Sequence, residues 1–539
     1  MDSQKLSGAE QSLEVKKLKR MDFSLIGLFI LLLLFVCSGI LFLPIPFTRD
    51  QGIYAYVAWC WLGEWWPYQY AFEHKGPWLY LVYAIFLKLS QGAMWGVNLA
   101  DLLSRMSTVS LLWFFTKKAF NHKIAFLSAF FCSLSLLGIF SSCWWNAQAE
   151  TFIIALSAFS VLFAWYAVKS FSAIARGFFS LLSGLALSQM LMFKPSGFWL
   201  VAGIFLFLTI FAEDRKKAIL SYGIGIFVGL SLWLFYFWLR GIGREFFEEV
   251  VVFNLFHFSG ARKPAKILLN MLGWELWRIF GWGLVLAPVG LWLSFKKRKQ
   301  PEYFLALVWF VCAVLEVFLQ ARFFLYHLLL LVAPGGLVLA IGAQGWEGRF
   351  QRVWKALTLV VILAFLFGEV QVYFLIQRHY QTWDYLRGRI DRGQYYARFQ
   401  EAREGERDFN AYASWVVGNW IRERTTQEDY VLVFGYEPGI NYIASRRSPS
   451  RFHSDYPLDS KPKTQFALRV QKRWQKLFLE ELNKRNPRLV VLVHNDTNAI
   501  EPVDSYHQAM QFREFWEWLL KNYQKGEKIE DFEFWWRME

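Results

Sequence analysis

Between Thr48 and Trp78 the chain reads TRDQGIYAYVAWCWLGEWWPYQYAFEHKGPW, which sets Asp50, Glu64, Glu73, His74 and Lys75 among tyrosines and tryptophans. A long apolar run precedes this stretch and another apolar block follows it. Charged groups beside a bilayer are costly unless they are wet, paired or used, so the cluster marks a candidate membrane-surface active-site loop. A plainer reading stays open: amphipathic rings seat well in the headgroup layer, and the stretch would then be an interfacial anchor. Three more segments place charged or titratable residues at the ends of apolar runs. They are Glu150 in WWNAQAE, Lys194 in FKPSG, and Arg322 with His327 in ARFFLYH. Singly, Lys194 reads as a snorkelling lysine, Glu150 as a helix cap and His327 as a satisfied core histidine. Together they supply opposite charges at one depth. A phosphate leaving a lipid-borne sugar builds negative charge that Lys75, Lys194 and Arg322 would stabilise. An attacking hydroxyl needs a carboxylate to take its proton, and Asp50 fits that role. The chemistry these residue types suit is sugar transfer from a lipid phosphate.

The elements that must position them are membrane helices. Of 539 residues, 55% are hydrophobic, with Phe 54 and Trp 28, and the apolar runs recur at membrane-spanning length. That pattern excludes a soluble globular chain and predicts a polytopic α-helical membrane protein. The net charge of +15 would raise nucleic-acid binding in a soluble protein. Here the cations sit in short loops between apolar runs, where they set orientation, and no nucleic-acid partner is expected. Cys37, Cys60, Cys132, Cys143 and Cys312 are odd in number and lack metal-ligand spacing, so neither a disulfide framework nor a zinc site is expected. The basic Lys16–Arg20 segment before the apolar run 23–43 reads as cytoplasmic, and that run as an uncleaved anchor.

Spans are expected near 23–43, 97–115, 124–141, 150–168, 177–193, 197–212, 218–239, 279–295, 302–320, 324–342 and 356–376, about eleven in all. The segments 51–62 and 77–91 are read as lying on or in the bilayer surface. Counting 77–91 as a span would put Lys117, Lys118 and Lys123 outside, against the positive-inside rule. The expected organisation is a cytoplasmic segment 1–22, a transmembrane catalytic domain 23–376 with an outer loop 44–95, a linker 377–408, and a soluble α/β domain 409–539. The N-terminus is placed in the cytoplasm and the C-terminal domain outside a cell inner or plasma membrane. In that domain YVLVF and LVVLV alternate with helical patterns, which predicts a small parallel sheet. The tail segment FGYEPGINYIASRRSPSRFHSDYPL and the HND at 494–496 read as solvated loops. Asp101 and Arg105, four apart on a helix, read as a structural pair.

DQGIYAYVAWCWLGEWWPY followed by FEHKGPWLYLVYAIF resembles the first outer loop of the GT-C membrane glycosyltransferases. The nearest branch is that of protein O-mannosyltransferases and lipid A aminoarabinose transferases. Arg105 in LLSRMS, Glu150 in NAQAE, the FKPSG turn and RFFLYHLLLLVAP follow in the family's order. The resemblance covers roughly residues 23–376 and implies a GT-C type transferase with about eleven transmembrane helices. It implies a polyprenyl-phosphate sugar donor, a glycan, lipid or protein acceptor, and a reaction at the extracytoplasmic face. Asp50 then matches the catalytic acidic residue, with Glu150 as second catalytic candidate. Lys75 matches the basic residue near the donor phosphate, joined by Lys194, Arg322 and His327. Glu73, His74 and Tyr54 are further substrate-site candidates, and an outer domain that binds the acceptor is the sharper alternative for the tail. Gln51 stands where many members have a second acid, and His74 separates Glu73 from Lys75. No cofactor is named by these residues, and participation of a divalent metal stays open. The rival readings are a lipid-linked sugar flippase, which would carry polar groups along a mid-bilayer path, and a non-catalytic polysaccharide-binding scaffold. Glu316, deep in a span, is the one residue that fits the flippase pattern.

Overall fold

The computed structural model describes residues 23–142, 147–256, 265–320, 323–345, 351–367, 377, 380–403, 406–459, 462, 464–497 and 503–539. Seven of its helices are long and apolar enough to cross a membrane: Phe23–Phe42, Ala149–Lys169, Ala173–Leu191, Arg215–Arg240, Leu269–Lys296, Pro301–Gln320 and Leu325–Gln344. The shorter apolar helices Pro77–Leu89, His122–Leu137 and Pro195–Phe211 stand among them. The helix Met94–Ala119 is 26 residues long and carries Asp101, Arg105, Lys117 and Lys118. The helix Gln351–Phe367 covers the start of the last expected span. Along Arg215–Arg240, Leu220, Phe227, Leu232 and Phe235 are exposed while Ala218, Tyr222, Gly225 and Gly229 are buried. That division is what lipid outside and a close helix neighbour inside require.

The Thr48–Trp78 loop is packed into the protein. The helix Arg49–Leu62 buries every residue from Gln51 to Ala58. Tyr54, Tyr56, Tyr68, Tyr80 and Tyr83 are all fully buried. Tyr54 packs edge to face on Tyr83 at 5.6 Å between centroids, and Tyr68 on Tyr80 at 6.3 Å. These rings are packed among side chains, because the membrane helices and a second domain together enclose this helix. Gln51, standing where an acid was expected, accepts the Thr48 backbone N–H at 2.8 Å and closes the helix start.

That second domain is an α/β layer structure. Its four-stranded sheet runs Val431–Phe434, Leu489–Val493, Phe532–Arg537, Tyr523–Ile529 in spatial order. The first two strands are parallel, Val431 opposite Leu489 and Phe434 opposite Leu492. The last two form an antiparallel hairpin, and Phe532–Arg537 also pairs antiparallel with Leu489–Val493. The sheet is therefore mixed, not parallel as the alternating pattern predicted. Tyr523–Ile529 reads YQKGEKI and its middle is exposed, so it carries no apolar alternation to reveal a strand. Leu432, Phe434, Val490 and Leu492 face Trp474, Phe478 and Phe515 on one side. Val431, Val433, Val491 and Val493 face Val417, Ile421 and Ile440 on the other. A further hairpin, Gln400–Arg403 with Glu406–Asn410, crosses the position expected to end the linker.

Candidate active site

Two short backbone contacts set the site. The N–H of Gly76 donates to the Phe193 carbonyl at 3.1 Å, and that of Trp78 to the Met192 carbonyl at 3.3 Å. Gly76 is required there, since a Cβ would lie 2.0 Å from the Met192 oxygen. The register brings Lys75 beside Lys194, two residues that stand far apart in sequence. A separate set of contacts, around Ala147, holds Glu150. Ala147 has φ of 51°, an unusual value for a side-chain-bearing residue. Its N–H donates to Asp101 Oδ1 at 2.8 Å, and its carbonyl accepts from the Tyr83 hydroxyl at 3.0 Å. Arg105 Nε donates to Asp101 Oδ2 at 2.7 Å, and Arg105 Nη1 to the Leu136 carbonyl at 3.0 Å. The Asp101–Arg105 pair, fully buried, is the clamp that fixes the turn ahead of Glu150.

The groups so placed form one cluster. Lys75, 7% exposed, donates to the Tyr54 hydroxyl and lies 4.2 Å from that ring's centroid. Tyr54 in turn reaches Gln148 Oε1 at 3.4 Å. Burial pulls the Lys75 ammonium down to about 8; the Asp50 and Glu150 carboxylates oppose that shift and Lys194 adds to it. Lys194 Nζ sits 2.6 Å from Glu150 Oε1 and 2.6 Å from Gln320 Oε1. Glu150 is fully buried, and its Oε2 has no partner among the described residues. Ser196, two residues on from Lys194, donates to Glu316 Oε1 at 3.0 Å, so Glu316 belongs to the edge of this cluster. Asp50 sits in the first turn of its helix, where the helix dipole favours an anion. Its carboxylate makes no hydrogen bond or ion pair among the described residues. One turn from Gln320, Val317 and Phe318 open onto an apolar groove of about 140 Å³ lined also by Leu276, Phe280, Val314 and Leu331.

Glu73 and His74 lie beside the cluster and form a second group. His74 donates its backbone N–H to Glu73 Oε1 at 2.7 Å, with its ring Nδ1 at the same distance. Burial pushes the Glu73 carboxyl up, but its His74 contacts outweigh that and hold it below the ordinary range. The Glu73 N–H donates to Glu249 Oε2 at 2.9 Å, and Arg451 Nη1 lies 3.6 Å from Glu249 Oε1. Burial pushes the Glu249 carboxyl well up, with Arg451 opposing. His453 packs on Tyr56 at 5.0 Å, and burial drops its ring to about 4. His327 is buried, with its ring against those of Phe324 and Tyr326. Arg322 lies outside the described residues. Among those residues no three His, Cys, Asp or Glu side chains are grouped as a metal site.

The tail segment expected to be a solvated loop is instead a docking surface. Arg446, Arg451 and His453 are buried. Phe72 N–H donates to the Arg451 carbonyl at 2.8 Å, and Ser448 N–H to the Tyr56 hydroxyl at 2.8 Å. The Tyr442 hydroxyl donates to the Gly92 carbonyl at 2.6 Å. In the HND, Asp496 accepts from Tyr436 N–H and from Ser505 N–H, at 3.2 and 2.7 Å. Gln148 and Gln320 were not singled out from sequence, although each lies two residues from one that was. Glu249, Arg49 and Glu437 carried no local signal, because their partners are on other elements.

Residues 74–238 match the family model described as dolichyl-phosphate-mannose-protein mannosyltransferase. No curated protein sequence matches the chain. Among solved structures, the chain is similar to ArnT from Cupriavidus metallidurans bound to undecaprenyl phosphate, with TM-score 0.57 and 10% identity over 93% of this chain and 97% of that one. The apo form of the same protein aligns with TM-score 0.53 and 12% identity over the same shares. The apo oligosaccharyltransferase of Archaeoglobus fulgidus aligns with TM-score 0.53 and 13% identity over 88% of this chain and 70% of that one. These likenesses carry the fold, and the family match falls on the segment holding Lys75, Glu150 and Lys194. The chain therefore has the fold of these membrane proteins, and its residues 74–238 are similar to the mannosyltransferase family.

Proposed function

We propose that the chain moves a glycosyl group from a polyprenyl-phosphate donor to an acceptor hydroxyl at the extracytoplasmic face, by inverting displacement. The observation that carries this reading is a pair of cations, Lys75 and Lys194, beside the carboxylates of Asp50 and Glu150 and one turn from an all-apolar groove. An apolar groove suits a prenyl tail, and the cations suit the phosphate at its head. The ArnT structure with undecaprenyl phosphate supports a donor of this class. The acceptor oxygen attacks the anomeric carbon, its proton passes to Asp50, and the bond from that carbon to the phosphate oxygen breaks. The electron pair leaves with the polyprenyl phosphate, whose new negative charge is met by Lys75 and Lys194. Glu150 holds Lys194 in place until the phosphate competes for it. The free carboxylate of Asp50 and the unpartnered Glu150 Oε2 are the oxygens that would hold a divalent cation arriving with the phosphate, which would add positive charge at the leaving oxygen. The C-terminal domain packs on the Thr48–Trp78 loop, so both belong to one side of the bundle, read as the outer side. Purified protein incubated with a polyprenyl-phosphate sugar and a hydroxyl acceptor tests the reading. Release of polyprenyl phosphate with a glycosylated acceptor supports it, and an intact donor sinks it.

A further inference from the structure

The strand Val431–Phe434 ends in a turn, Gly435–Gly439, at the edge where parallel strands of α/β folds present functional loops. This turn, reading GYEPG, lies against the start of the helix that carries Asp50. Arg49 Nη2 is 3.7 Å from Glu437 Oε1, with the two side chains 9% and 6% exposed. The Arg49 guanidinium also lies over the Tyr436 ring, 5.3 Å from its centroid. Glu437 is itself fixed by the Ser414 hydroxyl at 2.6 Å, and the Tyr436 N–H by Asp496 at 3.2 Å. One turn along the helix, Gly52 and Gly439 meet backbone to backbone. A Cβ on Gly52 would stand 2.9 Å from the Gly439 Cα, and one on Gly439 would stand 3.1 Å from the Gly52 Cα. The residues before and after Asp50 are thus held by the C-terminal domain, while the Asp50 carboxylate is left without a protein partner among the described residues.

We infer that the Tyr436–Gly439 turn of the C-terminal domain is the device that positions Asp50, with Glu437 a positioning residue acting through Arg49. The inference rests on the reading of Asp50 as base. The Asp50 carboxylate takes no hydrogen bond from a described residue, so its aim comes from the backbone on either side. Arg49 is locked by an ion pair and a ring. Gly52 is locked by a contact that admits no side chain. The domain is then part of the active site, not a cover over it, and its effect falls on the chemical step. Burial of the pair makes it sensitive to loss of either partner.

The test is single-turnover transfer by the full-length protein, with donor affinity measured alongside, for wild type, Glu437→Gln, Asp50→Asn and the double variant. A misplaced reacting group costs up to about 100-fold, so Glu437→Gln is expected to lower the rate roughly 10- to 100-fold with donor affinity unchanged. In the Asp50→Asn background the same change is expected to cost nothing further, because there is no base left to aim. Ser414→Ala loosens Glu437 without removing its charge, and is expected to give a smaller loss that also vanishes with Asp50→Asn. A wild-type rate in Glu437→Gln, beside a strong loss in Asp50→Asn, overturns the inference and leaves the base assignment standing. A loss that persists in full in the Asp50→Asn background, or that is matched by lost donor affinity, assigns Glu437 a general structural role and overturns it too. Retained turnover in Asp50→Asn removes the base and the inference together.

Discussion

Replacing Lys75 by methionine should separate its role in donor binding from any role in folding. The ammonium is 7% exposed, and its direct partner is the Tyr54 hydroxyl and ring. Burial lowers its pKa from 10.5 to about 8. At about 1.4 kcal/mol per tenfold, that gap means the charged form costs the fold about 3 kcal/mol near neutrality. The unfolded chain holds the proton more tightly, so this cost is fully present below pH 8 and fades as pH rises from 8 towards 10.5. A phosphate seated on Lys75 relieves it. Lys75→Met keeps the apolar volume and removes the charge, so melting temperature at pH 7 should hold or rise. Donor affinity should fall, since a hydrogen bond to a charged group is worth about 1.5–3 kcal/mol, or roughly 10- to 100-fold. Wild-type affinity should also weaken as pH rises through 8, while the variant's stays flat. Polyprenyl-phosphate binding by calorimetry at several pH values, beside thermal melts, reads all three. Unchanged affinity in Lys75→Met, or a fall in melting temperature as large as the loss of binding, would refute the reasoning.

Glu150→Gln leaves Lys194 free of its carboxylate partner at 2.6 Å, so it should bind donor phosphate at least as tightly while losing less turnover than Asp50→Asn. Steady-state kinetics with separate donor titration check that order. Asp101→Asn leaves buried Arg105 without its ion pair and should cost about 3–5 kcal/mol of stability. Denaturation in detergent reads this, and the turn before Glu150 should lose its protease protection first. The orientation predicts that single cysteines at Lys296–Lys299 are labelled only from the cytoplasmic side and those in the C-terminal domain only from outside, in a background without the native thiols. A cytoplasmic C-terminal domain would remove the shared outer face.

Helix-forming runs were legible because the bilayer demands long apolar stretches, and the segments near 150–168, 218–239 and 302–320 fall on helices with nearly those ends. Asp50, Lys75, Glu150 and Lys194 were legible for the complementary reason: a charge beside such a run is expensive, so it stands out. What stayed hidden depends on distant partners. Nothing near Arg49 announces Glu437, and nothing near Glu73 announces Glu249 or Arg451. The tyrosines of the Thr48–Trp78 loop suited an interface by type, and only distant membrane helices, with the C-terminal domain on Tyr56, make them core. The tail's arginines looked solvated because a charged run usually is, whereas Arg446 is tied to the Thr425 carbonyl at 2.6 Å and hydroxyl at 2.8 Å. The C-terminal hairpin escaped because the polar edge strand Tyr523–Ile529 has no apolar alternation. The turn before Glu150 escaped because the left-handed Ala147 is held there by Asp101 from another helix.

The central claim is that Asp50 is the base of a direct displacement. Single-turnover transfer by wild type and Asp50→Asn, with the anomeric configuration of the product read by NMR, tests it most directly. A general base contributes ~10²–10⁴-fold, so Asp50→Asn should lose about that much rate while binding donor nearly as well, and the wild-type product should be inverted. Retained turnover in Asp50→Asn would contradict the base assignment, and a product of retained configuration would contradict direct displacement.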